Sequence, residues 1–343
     1  MILPPRELFS TTAAGAIALV VERLARATPG AIVIGPPHKG ERFPGVAFRP
    51  VSNLLSILRE IKRCRPAIVE VHQKPRLALL IAKLFPSMRV LLFLHNDPLT
   101  MRGLKSPFER RLMLRHVHQV ICVSGYLKSR YMQGLSGLGP AVLHNPLTLA
   151  AMPTRAAIRT PEILFVGRMV DDKGPDIFIA ACALALPHLH GWSARMIGGD
   201  RFGPDSPETP YVISMRGQAA EAGIHLTGPL PHRQTLAAMA AAEIAVVPSR
   251  WAEPFGLTAL EALANGAALI TTRQGGLPEV AGEAALYVPA DDANALADAM
   301  VKLAQNAGLR GGLQAAGFAQ AKLFDTPVIA AALMHLRNAH PAL

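Results

Sequence analysis

Two carboxylates, Glu253 and Glu261, stand eight positions apart in the run Val246-Val247-Pro248-Ser249-Arg250-Trp251-Ala252-Glu253-Pro254-Phe255-Gly256-Leu257-Thr258-Ala259-Leu260-Glu261. The apolar residues up to Val247, stopped by Pro248, read as a buried strand. Leu257 to Leu263 carries helix formers with an apolar stripe at Leu257, Leu260 and Ala264, and Asn265-Gly266 supplies the stop. Glu253 therefore lies in a loop at the carboxyl end of a strand, and Glu261 about two turns along the following helix. The opening Phe255-Gly256-Leu257 aims backbone N–H groups and the positive end of a helix dipole at that loop, a setting suited to phosphate. Gly256 has no Cβ to hold a ligand off the backbone. Glu261 could accept hydrogen bonds from a pair of sugar hydroxyls. The combination suits a sugar diphosphate. An ordinary helix start, with Glu253 favouring the dipole and Glu261 in water, would show the same spacing.

A second cluster is cationic. Gly167-Arg168-x-x-x-x-Lys173-Gly174 follows the apolar run Ile163 to Val166, so both cations fall on a strand-to-helix turn. Arg168 can grip a phosphate bidentately and Lys173 acts as a point charge, together offsetting a charge of about −2. Two surface cations are the plainer alternative. A third candidate is His95 in His95-Asn96-Asp97, at the tip of the apolar strand Val90 to Leu94. His72 follows another strand, Ala67 to Val71. A small-residue loop, Ser10 to Gly15, opens a helix from about residue 16 to 27, again favouring close approach of a polar ligand.

Glu253-Pro-Phe-Gly-Leu-x-x-x-Glu261-Ala-x-Ala-x-Gly, the Gly167-Arg168 to Lys173-Gly174 turn and Gly275-Gly276-Leu277-Pro278-Glu279 resemble the signature of glycosyltransferase family 4. The resemblance runs almost continuously from Phe165 to Val288 and loosely through the first half. It implies an α/β chain of the GT-B fold, two Rossmann-like doubly wound domains facing across a cleft. Residues 1–150 would bind acceptor and 151–324 the nucleotide sugar, with a C-terminal helix at about 325–343 packing back on the first domain. By the same resemblance the activity is retaining transfer of a hexose-type sugar from a nucleotide-diphosphate sugar, by front-face attack assisted by the leaving phosphate. Arg168 and Lys173 would hold the diphosphate with the backbone of Phe255, Gly256 and Leu257. Glu253 would contact the sugar, Glu261 the ribose, and His95 the donor sugar near the reacting carbon. Gly199 would approach the nucleotide and Leu230 the base, whereas Gly15, Asn96 and Asp97 would face the acceptor. Gly15 stands where family members often carry a Gly-Gly pair. No Asp-x-Asp has suitable surroundings and the chain supplies its own cations, so neither a metal nor any cofactor beyond the nucleotide sugar is expected. A nucleotide-sugar epimerase or a phosphorylase on the same fold is the alternative enzyme, though a pyridoxal-lysine context is not evident.

The elements that must position these residues alternate strand and helix, with fully apolar strands, as a parallel doubly wound sheet requires. Residues 147–161, with Pro153 and Pro161, read as the linker. At 343 residues, half of them hydrophobic and 17% charged, the chain can bury two cores. Cys64, Cys122 and Cys182 are isolated and read as buried thiols in a reducing, cytoplasmic setting. No apolar run reaches the roughly 18 residues of a membrane span, and no signal peptide is expected.

The net charge of +11 is uneven: residues 1–150 hold 21 Lys and Arg against 7 Asp and Glu, a net +14, and the remainder 14 against 17, a net −3. The first half should therefore meet something anionic: a phospholipid surface, a pyrophosphate-linked acceptor or nucleic acid. Few aromatics interleave with its cations, which disfavours nucleic acid. In Met101 to Arg115, five cations (Arg102, Lys105, Arg110, Arg111, Arg115) alternate with Leu104, Phe108, Leu112 and Leu114. Such a segment either lies on an anionic membrane or covers a core with a solvated face. Charge and resemblance together suggest a lipid-linked or membrane-adjacent glycan acceptor, met at the inner face of the membrane during bacterial surface polysaccharide synthesis.

Overall fold

The structure, a computed structural model, describes residues 1–153, 159–200 and 208–339. Its contacts divide the chain into Met1–Leu147 with the chain from Phe324 onward, and Thr148–Leu323. The sequence reading draws these borders at 150/151 and 324/325.

The first unit runs α1 Ala16–Arg26, β1 Ile32–Gly35, β2 Ala47–Pro50, α2 Leu54–Cys64, β3 Ile68–His72, α3 Pro75–Leu84, β4 Arg89–Leu94, α4 Pro107–His116, β5 Gln119–Cys122, α5 Gly125–Met132 and β6 Ala141–Val142. Strands β3, β4, β5 and β6 pair in that order, all parallel, and β1 pairs β2. Ile2 bridges both Ile34 and Val71 in parallel, joining the two groups. The chain start thus sits mid-sheet, and the strand order reverses beside it. The β4 run from Val90 to Leu94 is buried throughout, as a strand covered on both faces must be.

The second unit runs β7 Thr160–Val166, α6 Pro175–Ala185, β8 Ser193–Ile197, α7 Pro210–Glu221, β9 His225–Leu226, α8 His232–Ala241, β10 Ala242–Val247, α9 Leu257–Ala264, β11 Ala268–Thr271, α10 Leu277–Ala281, β12 Ala285–Tyr287, α11 Ala293–Gln305 and α12 Ala307–Ala321. Its sheet is parallel, ordered β12-β11-β10-β7-β8-β9. Side chains of β7 alternate: Ile163 and Phe165 join the core with Phe178 and Met300, whereas Leu164 packs with Ile197, Leu236 and Met239 on the other face. The expected linker lies partly in β7, and its residues 154–158 are outside the described residues. Pro161 is tolerated in the strand because the register with β10 shifts between Ala242 and Ile244, where no ladder N–H is needed.

The last helix, α13 Thr326–Asn338, belongs to the first unit. Its Arg337 donates to the buried Glu70 of β3 at 2.7 Å and to Thr28 at 3.1 Å, and Arg89 donates to the Arg337 carbonyl at 2.7 Å. The expected extension to 343 runs into residues 340–343, outside the described ones.

The basic segment at 101–115 differs from its sequence reading. The helix starts only at Pro107, behind a capping box between Ser106 and Glu109. Arg110 points inward, 2% exposed, and donates to the carbonyls of Leu104 (2.9 Å), Lys105 (3.0 Å) and Gln133. One of its five cations is thus a structural clamp rather than part of a charged surface. Among the described residues no helix is long and apolar enough to cross a membrane.

Candidate active site

In an open parallel sheet the crevice forms where the strand order reverses. In the second unit that place lies between the carboxyl ends of β7 and β10, from which Arg168–Lys173 and Ser249–Phe255 emerge. Lys173 and Glu253, 80 residues apart, form an ion pair there. The buried Ser249 hydroxyl donates to the same carboxylate oxygen at 2.7 Å. The N–H groups of Arg250 and Trp251 donate to the Asp172 carbonyl at 3.0 and 3.3 Å, and Gly276 N–H donates to the Glu253 carbonyl at 2.7 Å. Two glycines permit this approach. A Cβ on Gly174 (φ 68°) would lie 2.5 Å from the Pro248 carbonyl oxygen, and one on Gly275 (φ 62°) 2.2 Å from that of Glu253. The Gly-Gly pair at 275–276 therefore serves to hold the Glu253 loop.

Arg168 is exposed, and its side chain makes no hydrogen bond or ion pair among the described residues. Its loop is fixed by backbone bonds, Gly167 N–H to Ile197 at 3.1 Å and Met169 N–H to Gly199 at 3.0 Å, which also bring Gly199 alongside. A free guanidinium on a rigid turn can meet an anion with little reorganisation. Sequence reasoning missed Arg250, which donates to Asp171 and Asp176, both at 2.8 Å, and to Asp291. The hydrogen bond to Asp176, foremost, raises its pKa further above the ordinary arginine range. The only sequence signal was its place in the loop.

Gly256 caps α9 with φ 107°, and a Cβ there would lie 2.7 Å from Leu277 Cδ2, so the backbone itself requires glycine. No side chain caps this helix, whose first residue is Leu257; Phe255 is buried beneath the turn. Glu261 sits one turn along α9 rather than two. It is 7% exposed and 2.8 Å from Nε2 of His232, so it is not a solvated carboxylate. His232 was also missed, because nothing local marks the first residue of α8 as facing α9. Leu230 packs its side chain on Leu164, Ile197 and Met239, which leaves its backbone for any contact with a base.

In the first unit, His95 follows β4 and His72 ends the adjacent β3. Nδ1 of His72 lies 2.9 Å from Nε2 of His95. The His72 ring stacks on Phe93, centroids 4.5 Å apart. Burial lowers both imidazole pKa values, His95 to about 3 and His72 well below its ordinary value, with the neighbouring His95 adding to the effect. Both rings are therefore neutral near pH 7 and share one proton across the contact. His72 Nε2 is buried with no hydrogen-bond partner. An orphaned lone pair costs less there than an orphaned N–H, so His72 donates from Nδ1 and His95 keeps its own proton on Nδ1. The backbone N–H of His95 donates to Gln73 Oε1 at 2.7 Å, with Gln73 itself at φ 60°. Asn96 is exposed. Asp97 accepts from Leu99 N–H at 2.9 Å and from Arg130 at 2.7 and 3.0 Å, and so anchors a turn.

The helix start at Gly15 is not open as the sequence suggested. The Glu7 carboxylate occupies it, accepting from Ala18 N–H at 3.0 Å, and burial raises the Glu7 pKa against these donors. A Cβ on Gly15 would sit 2.5 Å from that carboxylate. An acceptor reaching Gly15 would meet a carboxylate in place of bare N–H groups.

A family model described as Glycosyl transferases group 1 matches residues 160–306, and one described as Glycosyltransferase Family 4 matches residues 17–151. The chain belongs to glycosyltransferase family 4. Its fold is GT-B, shared with a sucrose-phosphate synthase from Thermosynechococcus elongatus (TM-score 0.77, 19% identity, 98% of this chain and 97% of that one). The family 4 chain also superposes on Anabaena HepE in complex with UDP and glucose (TM-score 0.75, 16% identity, 97% and 98%). Among curated relatives it is 33% identical, over 53% of its length, to a D-inositol 3-phosphate glycosyltransferase of Corynebacterium glutamicum, and 26% identical, over 65%, to spore coat protein SA of Bacillus subtilis. These alignments cover 44% and 64% of the two relatives, less than two thirds of either.

Proposed function

We propose that the chain is a retaining glycosyltransferase that takes a hexose-type sugar from a nucleotide-diphosphate sugar. The observation that carries this is the cluster at the β7/β10 reversal, with Lys173, Glu253 and Ser249 interlocked and Arg168 free beside them. In this reading Arg168 and Lys173 neutralise the departing diphosphate, with the start of α9 adding backbone N–H groups. Glu253, held by Ser249, faces the sugar and exchanges part of its contact with Lys173 for sugar hydroxyls. Glu261 and His232 take the ribose hydroxyls. Gly199 and the backbone at Leu230 border the nucleotide. His95 donates to the sugar from Nδ1, because its other nitrogen is engaged. The leaving phosphate assists front-face attack, no protein nucleophile is needed, and the neutralising charge comes from the chain's own cations.

UDP is the first donor to test, since the HepE structures hold UDP or UDP-glucose. A thermal-shift series with UDP, GDP, ADP and their sugars, on wild type and Glu261→Ala, tests the reading. Stabilisation by one nucleotide family that weakens in the variant supports it; equal shifts in both proteins would move the nucleotide elsewhere. Turnover of a UDP-sugar without acceptor would favour an epimerase.

For the acceptor we infer a lipid-linked glycan intermediate of surface polysaccharide synthesis, met at the inner face of the membrane by the basic first unit. Its net charge supports this, and sedimentation with anionic against neutral liposomes tests it. The relatives named D-inositol 3-phosphate glycosyltransferases favour a polyol phosphate as the second reading. Both acceptors are anionic.

A further inference from the structure

We propose that the first unit holds a binding site for an amphiphile with a phosphate head, in the cavity at the carboxyl ends of β1 and β3. The cavity is about 830 Å³, within the range that holds a drug-sized ligand. It opens at the strand-order reversal of this sheet, where Ile2 pairs β1 on one side and β3 on the other. One wall is apolar, from Leu3, Val51, Leu54, Ile57, Leu77 and Leu80. The remainder carries Lys74, Arg76 and Arg102, and no Asp or Glu lines the cavity.

The side chain of each of these three cations lacks a hydrogen bond or ion pair among the described residues. Glu109, whose carboxylate senses the Arg76 charge, is engaged in the capping box at Ser106. Three cations around one cavity, without a carboxylate lining it, give it a positive potential that favours an anion. Two are guanidiniums, which match the oxygens of a phosphate as a fork. Ser52, Asn53 and Gln73 also line the cavity, but a polyol would leave the six aliphatic side chains without an apolar partner. An alkyl or isoprenoid chain instead gains about 25 cal/mol per Å² of buried surface. The apolar surface also continues outward over α2, where Leu54 is 45% and Leu55 66% exposed, giving a longer chain a path out.

The site is held in shape from behind. Gln73 lines the cavity, and its side chain accepts the His95 N–H at 2.7 Å, which fixes the turn that presents Lys74. A phosphate head at Lys74 would therefore lie near the His95 turn. That this ligand is the glycosyl acceptor rests on the transferase reading above; the site itself does not.

Calorimetry of the full chain with dodecyl phosphate below its micellar concentration tests the site, against glycerol 3-phosphate, inorganic phosphate and a dodecyl trimethylammonium salt. Dodecyl phosphate should bind at least about tenfold tighter than the other three, and Arg76→Ala with Arg102→Ala should weaken it about tenfold or more. Leu54→Gln, at an exposed rim position, should weaken dodecyl phosphate and leave inorganic phosphate unchanged. Equal binding of the cationic amphiphile would reduce the cavity to an apolar groove, and equal binding of glycerol 3-phosphate would make it a free-phosphate site; either overturns the proposal. No loss in the double variant also overturns it. The UDP thermal shift separates the two readings: a protein that keeps it while ignoring dodecyl phosphate retains its donor site and loses only this inference.

Discussion

The same sheet design ends in two different chemistries. At the reversal of the second unit, loops from β7 and β10 pair a lysine with a glutamate, clamp Arg250 between aspartates and leave Arg168 free. On the adjacent strand ends β3 and β4 of the first unit, two histidines meet in an apolar stack and burial keeps them neutral. Parallel packing supplies a crevice in both places, but the side chains decide which ligand it suits. A free guanidinium and a lysine on rigid loops suit a diphosphate. A neutral donor on a strand tip suits a hydroxyl, whose proton it need not remove.

Lys173→Ala should break that contrast most severely. It removes a positive charge at the proposed diphosphate position and leaves Glu253 with Ser249 alone, so we expect turnover to fall roughly 10³-fold, about 4 kcal/mol of barrier. Single-turnover rates with a UDP-sugar would show it, while far-UV circular dichroism checks the fold. A loss confined to KM would assign Lys173 to uniform binding instead.

A similar free energy, read as stability, is expected from the buried pair that ties α13 to β3. Glu70→Gln should cost about 3 to 5 kcal/mol, because Arg337 keeps its charge in a site 7% exposed. Replacing both partners by Leu and Met should recover most of it. Urea unfolding of the single and double variants separates a charge left alone from a lost contact.

Acid should act on the histidine stack. Both histidines titrate lower when folded than unfolded, so the unfolded chain binds more protons below about pH 6.5. Stability is then fully present above that pH and declines as pH falls toward about 3, at up to about 1.4 kcal/mol per pH unit for each histidine. His72→Phe should flatten this decline and release the His95 tautomer, which ¹⁵N shifts of the ring nitrogens would report. An unchanged slope would mean that other groups carry the acid sensitivity.

The second unit was legible because its chemistry is local in sequence: strand, loop and helix signals bracket Glu253 and Glu261, and Gly167 to Gly174 sits on one turn. Arg250 and His232 were not legible as partners, since their contacts reach 74 to 79 and 29 residues away and depend on strand order, and Ser249, four residues from Glu253, lay in an irregular loop with no periodicity to aim its hydroxyl. In the first unit the strands were legible from apolar runs, but His72 facing His95 depends on β3 and β4 being neighbours. Glu7 filling the α1 start is a tertiary contact with no periodic signature. Arg110 shows the limit of pattern alone, since a cation among alternating apolar residues reads as surface until three carbonyls are found to surround it.

The smallest effect separates structure from recognition at Asp97. Its ion pair with Arg130 is partly exposed, so Asp97→Asn should cost only about 1 kcal/mol and lower the melting temperature by a few degrees. Asparagine keeps an oxygen for Leu99 N–H, and the turn at Pro98–Thr100 survives. If Asp97 only anchors that turn, the acceptor KM stays within about twofold once measured below the melting range. A KM rise of tenfold or more at unchanged donor binding would place its carboxylate against the acceptor, and Arg130→Gln then discriminates further. That variant frees the carboxylate without removing it, so an anchoring role predicts the same small destabilisation as Asp97→Asn. A recognition role instead predicts an acceptor KM that falls or holds.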